Sequence, residues 1–133
     1  MKVEAKVSKN SLKTEVKVRE FTYTLDQKLE DGGENLGANP VQVLATSLAA
    51  CKVMFAKSYA DKKGMKLDDC SATVEFNPDE LKENGRLNFK VDLKVSGELN
   101  MEEKNKLEAA VAKCAVAKIL SSENIIEQNI KFE

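Results

Sequence analysis

The sequence predicts an α+β fold in which helices pack against one face of an antiparallel sheet. Three observations carry that prediction. Short segments at both ends of the chain alternate apolar and polar residues, as half-buried strands do. Residues 36–51 carry no charge in a chain where 32% of residues are charged, which indicates a buried helix. Asn100 and Glu103 have the spacing of a capping pair that opens a second helix. The order of strands, long helix, strands, helix and strand is typical of α+β domains.

The uncharged stretch predicts a helix that begins at Pro40 and ends near Gly64. Asn39 suits the N-cap, and Pro40 suits the first helical position because its missing N–H would be unpaired there. Apolar residues occupy most of the circumference of this helix, so we expect it to be buried on nearly all sides. Cys51 would then be a buried thiol. A second copy of the helix across a two-fold axis would cover it, which predicts a homodimer. A monomer in which the sheet and the second helix suffice stays open.

Six segments alternate as strands, and the inward face changes parity between the second and the third. Because a strand cannot change parity without a bulge or a break, we expect an irregularity near Arg19 and Glu20. In the register of the third strand, Arg19 points inward and needs an anionic or hydrogen-bonding partner. The alternative places Arg19 at a sheet edge in solvent. The alternating segments are residues 3–7, 12–18, 21–25, 72–76, 87–95 and 126–132.

Length and composition exclude several classes of function. The 133 residues show no second core, so we expect a single domain, 1–133. The 21 basic and 22 acidic residues are scattered, which gives no charged patch for nucleic acid. No signal peptide or membrane-spanning segment is evident, and we expect a cytoplasmic protein. There is no histidine, no metal-ligand spacing and no phosphate-binding loop, so we expect neither metal nor cofactor.

Two cysteines are the candidate reactive groups. Cys51 and Cys114 lie on the inward stripes of different predicted helices, so their thiols could meet in one core. A two-cysteine peroxidase needs such a pair, because one thiolate becomes a sulfenic acid and the second condenses with it to a disulfide that an external dithiol reduces. Burial opposes ionisation, so the first thiol needs a nearby cation, and Arg19 is the candidate. The alternative is that either cysteine only fills the core. Cys70 follows two aspartates and is interpreted as structural.

At these residues the sequence resembles the OsmC/Ohr family, the osmotically induced and organic-hydroperoxide-resistance proteins. The resemblance implies an intertwined α+β homodimer, with antiparallel sheets packed on a long central helix and active sites at the subunit interface. It also implies thiol-dependent reduction of hydroperoxides in the oxidative stress response. Cys51 then matches the peroxidatic cysteine and Cys114 the resolving cysteine, and Arg19 is a looser match to the activating arginine. The features that carry the resemblance are Gly32-Gly33, Gly37-Ala38-Asn39-Pro40, residues 44–51, residues 59–64 and Cys114 within CAVAKIL.

Three departures indicate a divergent branch of that family. The glutamate that follows the Asn-Pro motif in catalytic members, or comes one residue later, is replaced by Val41 and Gln42. The proline that usually follows the resolving cysteine is Ala115. Two functions therefore compete. One is a thiol peroxidase with a hydroperoxide substrate and an external dithiol reductant, which retention of both cysteines favours. The other is a non-catalytic dimer that binds an apolar small molecule in the interface cleft, which loss of both glutamates favours.

Overall fold

A computed structural model describes all residues, Met1–Glu133, and consists of two compact units. The first unit is Met1–Thr46 and the second is Ser47–Glu133. The long helix runs through the boundary between them. The structure contains five strands and four α-helices, and none of these helices combines the length and the hydropathy that a membrane span requires.

A three-stranded antiparallel sheet forms most of the first unit. Its strands are β1 (Val3–Val7), β2 (Thr14–Val18) and β3 (Phe21–Leu25), in the order β1-β2-β3. Val18 pairs with Phe21, so Arg19 and Glu20 form a two-residue hairpin loop. The predicted break is therefore confirmed, because a chain reversal between β2 and β3 explains the change of parity.

The loop between β3 and the long helix folds around the carboxylate of Asp26, which is buried. Asp26 Oδ1 accepts a hydrogen bond from the backbone N–H of Gln27 at 2.8 Å. Asp26 Oδ2 accepts from the N–H groups of Glu34 at 3.1 Å and Leu36 at 3.2 Å. Burial alone would favour the neutral acid. The three N–H donors outweigh burial and hold the pKa of Asp26 below its ordinary value.

The lowered pKa of Asp26 makes the free energy of unfolding of the protein depend on pH in the acidic range. The carboxylate stabilises the folded state fully above its unfolded pKa of about 3.9, and this contribution is lost as pH falls further toward the folded pKa. We expect Asp26→Asn to lower Tm at pH 7 by roughly 5 °C or more. The difference in Tm between the two proteins should shrink between pH 4 and pH 2, as thermal unfolding followed by circular dichroism would show. A difference that stays constant over this range would contradict the assignment.

The long helix, α1 (Pro40–Lys62), has the predicted bounds. It is followed by β4 (Lys66–Glu75), α2 (Asp79–Asn84), β5 (Lys90–Glu98), α3 (Met101–Val111) and α4 (Ala115–Leu120). β4 and β5 pair antiparallel as a second sheet. The core of the second unit consists of small residues of α1 packed against apolar residues of the other elements. Its buried members are Ala56, Ala60, Met65, Leu67, Leu107 and Val111.

The predicted α+β class, with antiparallel sheets and a long helix, is confirmed, and the strands divide between two sheets. Other expectations for these elements are wrong, since the predicted last strand at 126–132 is not formed. A strand requires a neighbour for its backbone groups, and alternation alone does not supply one. Ile126 and Phe132 of this tail are exposed. β4 begins six residues before the predicted segment, β5 begins three residues later, and α2 was not predicted. The predicted capping pair at Asn100 and Glu103 is confirmed as a reciprocal capping box.

Burial of α1 on nearly all sides is also not observed in this chain. Met54 is 70% exposed and Leu44 is 40% exposed. Ala45, Leu48, Ala56 and Ala60 of the same helix are buried. The helix therefore has a covered side and a side, carrying Met54 and Leu44, that this chain leaves in solvent.

Candidate functional site

The N-terminus of α1 is held by a reciprocal pair of hydrogen bonds between Asn39 and Gln42. The N–H of Gln42 donates to Asn39 Oδ1 at 2.9 Å, and the N–H of Asn39 donates to Gln42 Oε1 at 2.9 Å. This is a capping box, which satisfies two otherwise free N–H groups. The side chain of Gln42 is thus committed to the helix end, at a position where the resemblance places a glutamate in some members. Neither Val41 nor Gln42 provides a carboxylate.

Cys51 lies on α1 in the second unit and is half-buried, so the prediction of a buried thiol is wrong. The reason is its place on the helix. Met54 follows three residues later, and residues at this spacing are neighbours on the helix surface. Cys51 therefore keeps part of its surface in solvent in this chain, beside the exposed Met54.

Cys114 is fully buried, but it does not lie inside a helix as predicted. α3 ends at Val111, and Cys114 is the N-cap residue of α4, with extended backbone angles. The N–H of Cys114 donates to the carbonyl oxygen of Val111 at 3.3 Å, and its own carbonyl accepts from Lys118 at 3.0 Å. The break carries neither glycine nor proline, so the helical pattern of the sequence continues through it without a signal.

Lys52 links the two segments that carry these cysteines. Its ammonium donates a hydrogen bond to the carbonyl oxygen of Val111 at 2.8 Å. Lys52 directly follows Cys51, and Val111 lies three residues before Cys114. The structure therefore brings the neighbourhoods of both cysteines to one contact between α1 and the end of α3. Sequence analysis missed Lys52, although the first charge after a long uncharged run was a usable signal.

An apolar groove of about 410 Å³ opens beside this contact. Lys52 and Glu108 are its charged residues, and neither cysteine lines it. A volume of this size is in the range of small-molecule sites. Its apolar lining comes from β5 and the end of α3, and consists of Val91, Leu93, Val95, Val111 and Ala112.

Cys70 lies on β4 in a chemically different setting. It is half-buried and lines a separate open groove of about 700 Å³ with Asp68 and Asp69. Burial, together with the negative charge of Asp69, raises the pKa of the Cys70 thiol. The interpretation of Cys70 as a structural residue is therefore supported, since the thiolate is the reactive form and is disfavoured there.

Arg19 lies in the first unit, at the tip of the β2–β3 hairpin, and is exposed. The structure thus agrees with the solvent-exposed alternative rather than with an inward-pointing side chain. Its guanidinium carbon lies 5.0 Å from the centre of the Phe21 ring, a cation–π geometry. Its φ of 53° is in the left-handed region, which costs a residue other than glycine roughly 1 kcal/mol or more. The two-residue hairpin accounts for this angle, since such turns need a positive φ at their first residue.

Comparisons with known proteins identify the class of the fold. The family model described as OsmC-like protein matches residues 32–129, which is most of the chain. An organic hydroperoxide resistance protein OsmC from Legionella pneumophila is 26% identical, with a TM-score of 0.68 over 90% of this chain and 87% of that one. An OsmC-like protein from Mycoplasma pneumoniae is 19% identical, with a TM-score of 0.72 over 90% and 85%.

The organic hydroperoxide resistance protein OhrB of Bacillus subtilis is 20% identical, with a TM-score of 0.59 over 90% of this chain and 89% of that one. No curated protein sequence matches the chain significantly. The fold and the family match together place this chain in the OsmC-like family, and the low identities are those of a divergent branch.

Proposed function

We propose that this protein is a thiol-dependent peroxidase that reduces organic hydroperoxides. The observation that supports the proposal is the hydrogen bond from Lys52, which follows Cys51, to Val111, which lies three residues before Cys114. Cys51 is half-buried, as a thiol that meets a substrate first would be, and Cys114 is buried. The Legionella relative, named an organic hydroperoxide resistance protein, supports the substrate class.

The proposed reaction has three steps: oxidation of Cys51, formation of a disulfide with Cys114, and reduction of that disulfide. The thiolate of Cys51 attacks the terminal peroxide oxygen, so an S–O bond forms, the O–O bond breaks and the alcohol leaves with a proton. The Cys114 sulfur then attacks the sulfenic sulfur of Cys51, an S–S bond forms, and the oxygen leaves as water. An external dithiol reduces this disulfide by exchange and is itself oxidised to a disulfide. The sum is reduction of one hydroperoxide to alcohol and water by one dithiol.

The functional unit of this proposal is a homodimer in which two copies of α1 cover each other's exposed apolar faces. The exposed Met54 and Leu44 of α1 support it, as does the apolar C-terminal tail, where Ile126 is 90% exposed and Phe132 is 93% exposed. Apolar surface of this extent on two elements is typical of an interaction site. We propose Arg19 as the residue that activates Cys51, as the resemblance to the family implies.

Met54→Lys tests the homodimer. Burying a methionine side chain contributes about 1.5–3 kcal/mol, and a two-fold interface contains it twice. We expect this substitution to raise the dimer dissociation constant by roughly a hundredfold or more, measured by analytical ultracentrifugation over a range of concentrations. Met101→Lys is the matched control because Met101 is also 70% exposed but lies on α3. Equal effects of the two substitutions, or a wild type that sediments as a monomer, would contradict the proposed homodimer.

Arg19→Gly separates the catalytic role of Arg19 from a structural one. Glycine relieves the left-handed strain of about 1 kcal/mol and loses a cation–π contact of about 0.5 kcal/mol. We therefore expect an unchanged or slightly raised Tm, together with a fall in the rate of hydroperoxide reduction of roughly a hundredfold. Arg19→Lys keeps the positive charge and should retain part of the rate. A glycine variant that reduces hydroperoxide at the wild-type rate would remove Arg19 from the mechanism.

The absence of a carboxylate at the start of α1 favours a second function. Gln42 is committed to the capping box, and no glutamate is available there to orient the arginine. A non-catalytic protein of this fold would bind an apolar small molecule in the groove beside Lys52, whose lining is mainly apolar. This function predicts ligand binding that is indifferent to replacement of both Cys51 and Cys114.

The discriminating experiment is steady-state reduction of cumene hydroperoxide with dithiothreitol as the reductant. We expect the reduced protein to form cumyl alcohol in step with dithiothreitol oxidation, well above the protein-free rate. Cys70→Ser should leave this rate unchanged, since its thiol takes no part. If alcohol forms only at the protein-free rate while a fluorescent fatty acid binds with saturation, the binding function replaces the peroxidase.

A further inference from the structure

The carbonyl oxygen of Val111 accepts two hydrogen bonds that meet at the end of α3. One comes from Lys52 Nζ at 2.8 Å, and the other comes from the N–H of Cys114 at 3.3 Å. Val111 is itself buried in the core of the second unit. A single backbone atom therefore connects the residue after Cys51 with the backbone of Cys114.

Lys52 is an unusual partner for this carbonyl. The last carbonyls of a helix lack partners within the helix, and a lysine or arginine near the end of the same helix often binds them. Here the cation comes from a different helix, 59 positions earlier in the chain. α3 has no basic residue in its own last turn. The hydrogen bond consequently ties the end of α3 to α1 one residue after Cys51, in addition to satisfying a carbonyl at the end of α3.

We propose that Lys52 is a positioning residue for disulfide formation. This inference rests on the proposed peroxidase function. The ammonium of Lys52 holds the backbone from Val111 to Cys114 so that the Cys114 sulfur reaches the sulfenic sulfur of Cys51. In that step the S–S bond forms, the S–O bond breaks, and the oxygen leaves with the thiol proton as water. Lys52 acts on the backbone that carries the attacking sulfur and does not exchange a proton or an electron.

The geometry of disulfides makes this step sensitive to backbone position. A disulfide needs its two α-carbons within roughly 7 Å and its sulfurs about 2.05 Å apart. A displacement of about 1 Å in a reacting group costs roughly a hundredfold in rate. Val111 and Cys114 are buried at the two ends of this break, and the hydrogen bond from Lys52 adds a polar contact to it from another helix. The first step, attack of Cys51 on the peroxide, does not use this backbone.

Lys52→Met is the test, because methionine keeps an unbranched apolar stem along the groove and removes the donor. The reduced protein is mixed with one equivalent of cumene hydroperoxide and quenched over time. Dimedone adducts report the Cys51 sulfenic acid, and peptide mapping reports the Cys51–Cys114 disulfide. We expect sulfenic acid to form at the wild-type rate and the disulfide to form roughly ten- to a hundredfold more slowly. With excess hydroperoxide, the Cys51 sulfenic acid should be oxidised further to sulfinic acid, because the slow disulfide step leaves it unresolved.

Two further variants complete the experiment. Lys57→Met removes an exposed lysine of the same helix, which pairs with Asp61, and should leave both rates unchanged. Lys52→Arg keeps a cationic donor and should restore most of the disulfide rate. If Lys52→Met fails to fold, Lys52→Gln removes the charge with a smaller loss of polarity and is measured in the same way.

The outcomes separate failure of the inference from failure of the proposed function. A variant without the Lys52 ammonium that forms the disulfide as fast as the wild type overturns the positioning role alone. An equal fall in both rates, or a fall in the sulfenic acid rate alone, also overturns it, because Lys52 would then act on folding or on Cys51. A wild type that forms neither sulfenic acid nor disulfide overturns the peroxidase, and the positioning role with it.

Discussion

Cys51→Ser is expected to reduce hydroperoxide turnover to the protein-free rate. A serine hydroxyl does not ionise near neutral pH and has no sulfur to accept oxygen, so the first step has no substitute nucleophile. The fold should tolerate the change at a cost of about 1 kcal/mol, because Cys51 is only half-buried. Alcohol formation from cumene hydroperoxide measures the activity, and circular dichroism confirms the fold.

Cys114→Ser is expected to allow a single turnover of hydroperoxide, whereas Cys51→Ser allows none. The first step remains, so the protein should release one equivalent of alcohol and stop with Cys51 as a sulfenic acid that dimedone traps. Because Cys114 is fully buried, a serine hydroxyl there costs about 1–3 kcal/mol in stability. Cys114→Ala is the control without a buried hydroxyl and should give the same single turnover. Full steady-state activity in either Cys114 variant would show that Cys114 is not the resolving residue.

Gly33→Ala is expected to have a large effect on stability. A methyl group at Gly33 would overlap the carbonyl oxygen of Gln27 and lie 2.8 Å from Asp26 Oδ1. Neither atom can move freely, since Gln27 O accepts from the N–H of Asn35 at 3.0 Å and Asp26 accepts three backbone N–H groups. We expect a loss of about 3–4 kcal/mol in the free energy of unfolding, or failure to fold.

Gly64→Ala is the matched control for this prediction. Gly64 ends α1 with a φ of 68°, and nothing lies within 4 Å of the position that a methyl group would take. Only backbone strain of about 1 kcal/mol is expected there. Urea denaturation of both variants measures the difference. A Gly33→Ala protein no less stable than Gly64→Ala would contradict the close packing of this loop on Asp26.

The elements that could be predicted from the sequence are those with local signals. Asn39, Pro40 and Gly64 defined α1, and the change of parity at Arg19 located the hairpin. Each of these signals lies within the element that it marks. The tail at 126–132 has the alternation of a strand, but pairing is a property of two segments, and no other segment pairs with it in this chain.

The candidate site was predictable only in part, for the same reason. Cys51 and Cys114 were identifiable as reactive residue types on inward stripes of predicted helices. The break that takes Cys114 out of α3 has no residue signal, because Ala112 and Lys113 are both good helix formers. The bond from Lys52 to Val111 joins residues 59 positions apart and is set by the packing of α1 on α3. No local pattern reports such a contact.

The most direct test of the account is the fate of the thiols after one oxidation. The fully reduced wild-type protein is treated with one equivalent of cumene hydroperoxide without reductant and then analysed by intact mass and peptide mapping. The two-cysteine mechanism predicts a chain lighter by two hydrogen atoms, with a Cys51–Cys114 bond and a free Cys70. Three free thiols after excess hydroperoxide, or a disulfide that includes Cys70, would contradict it.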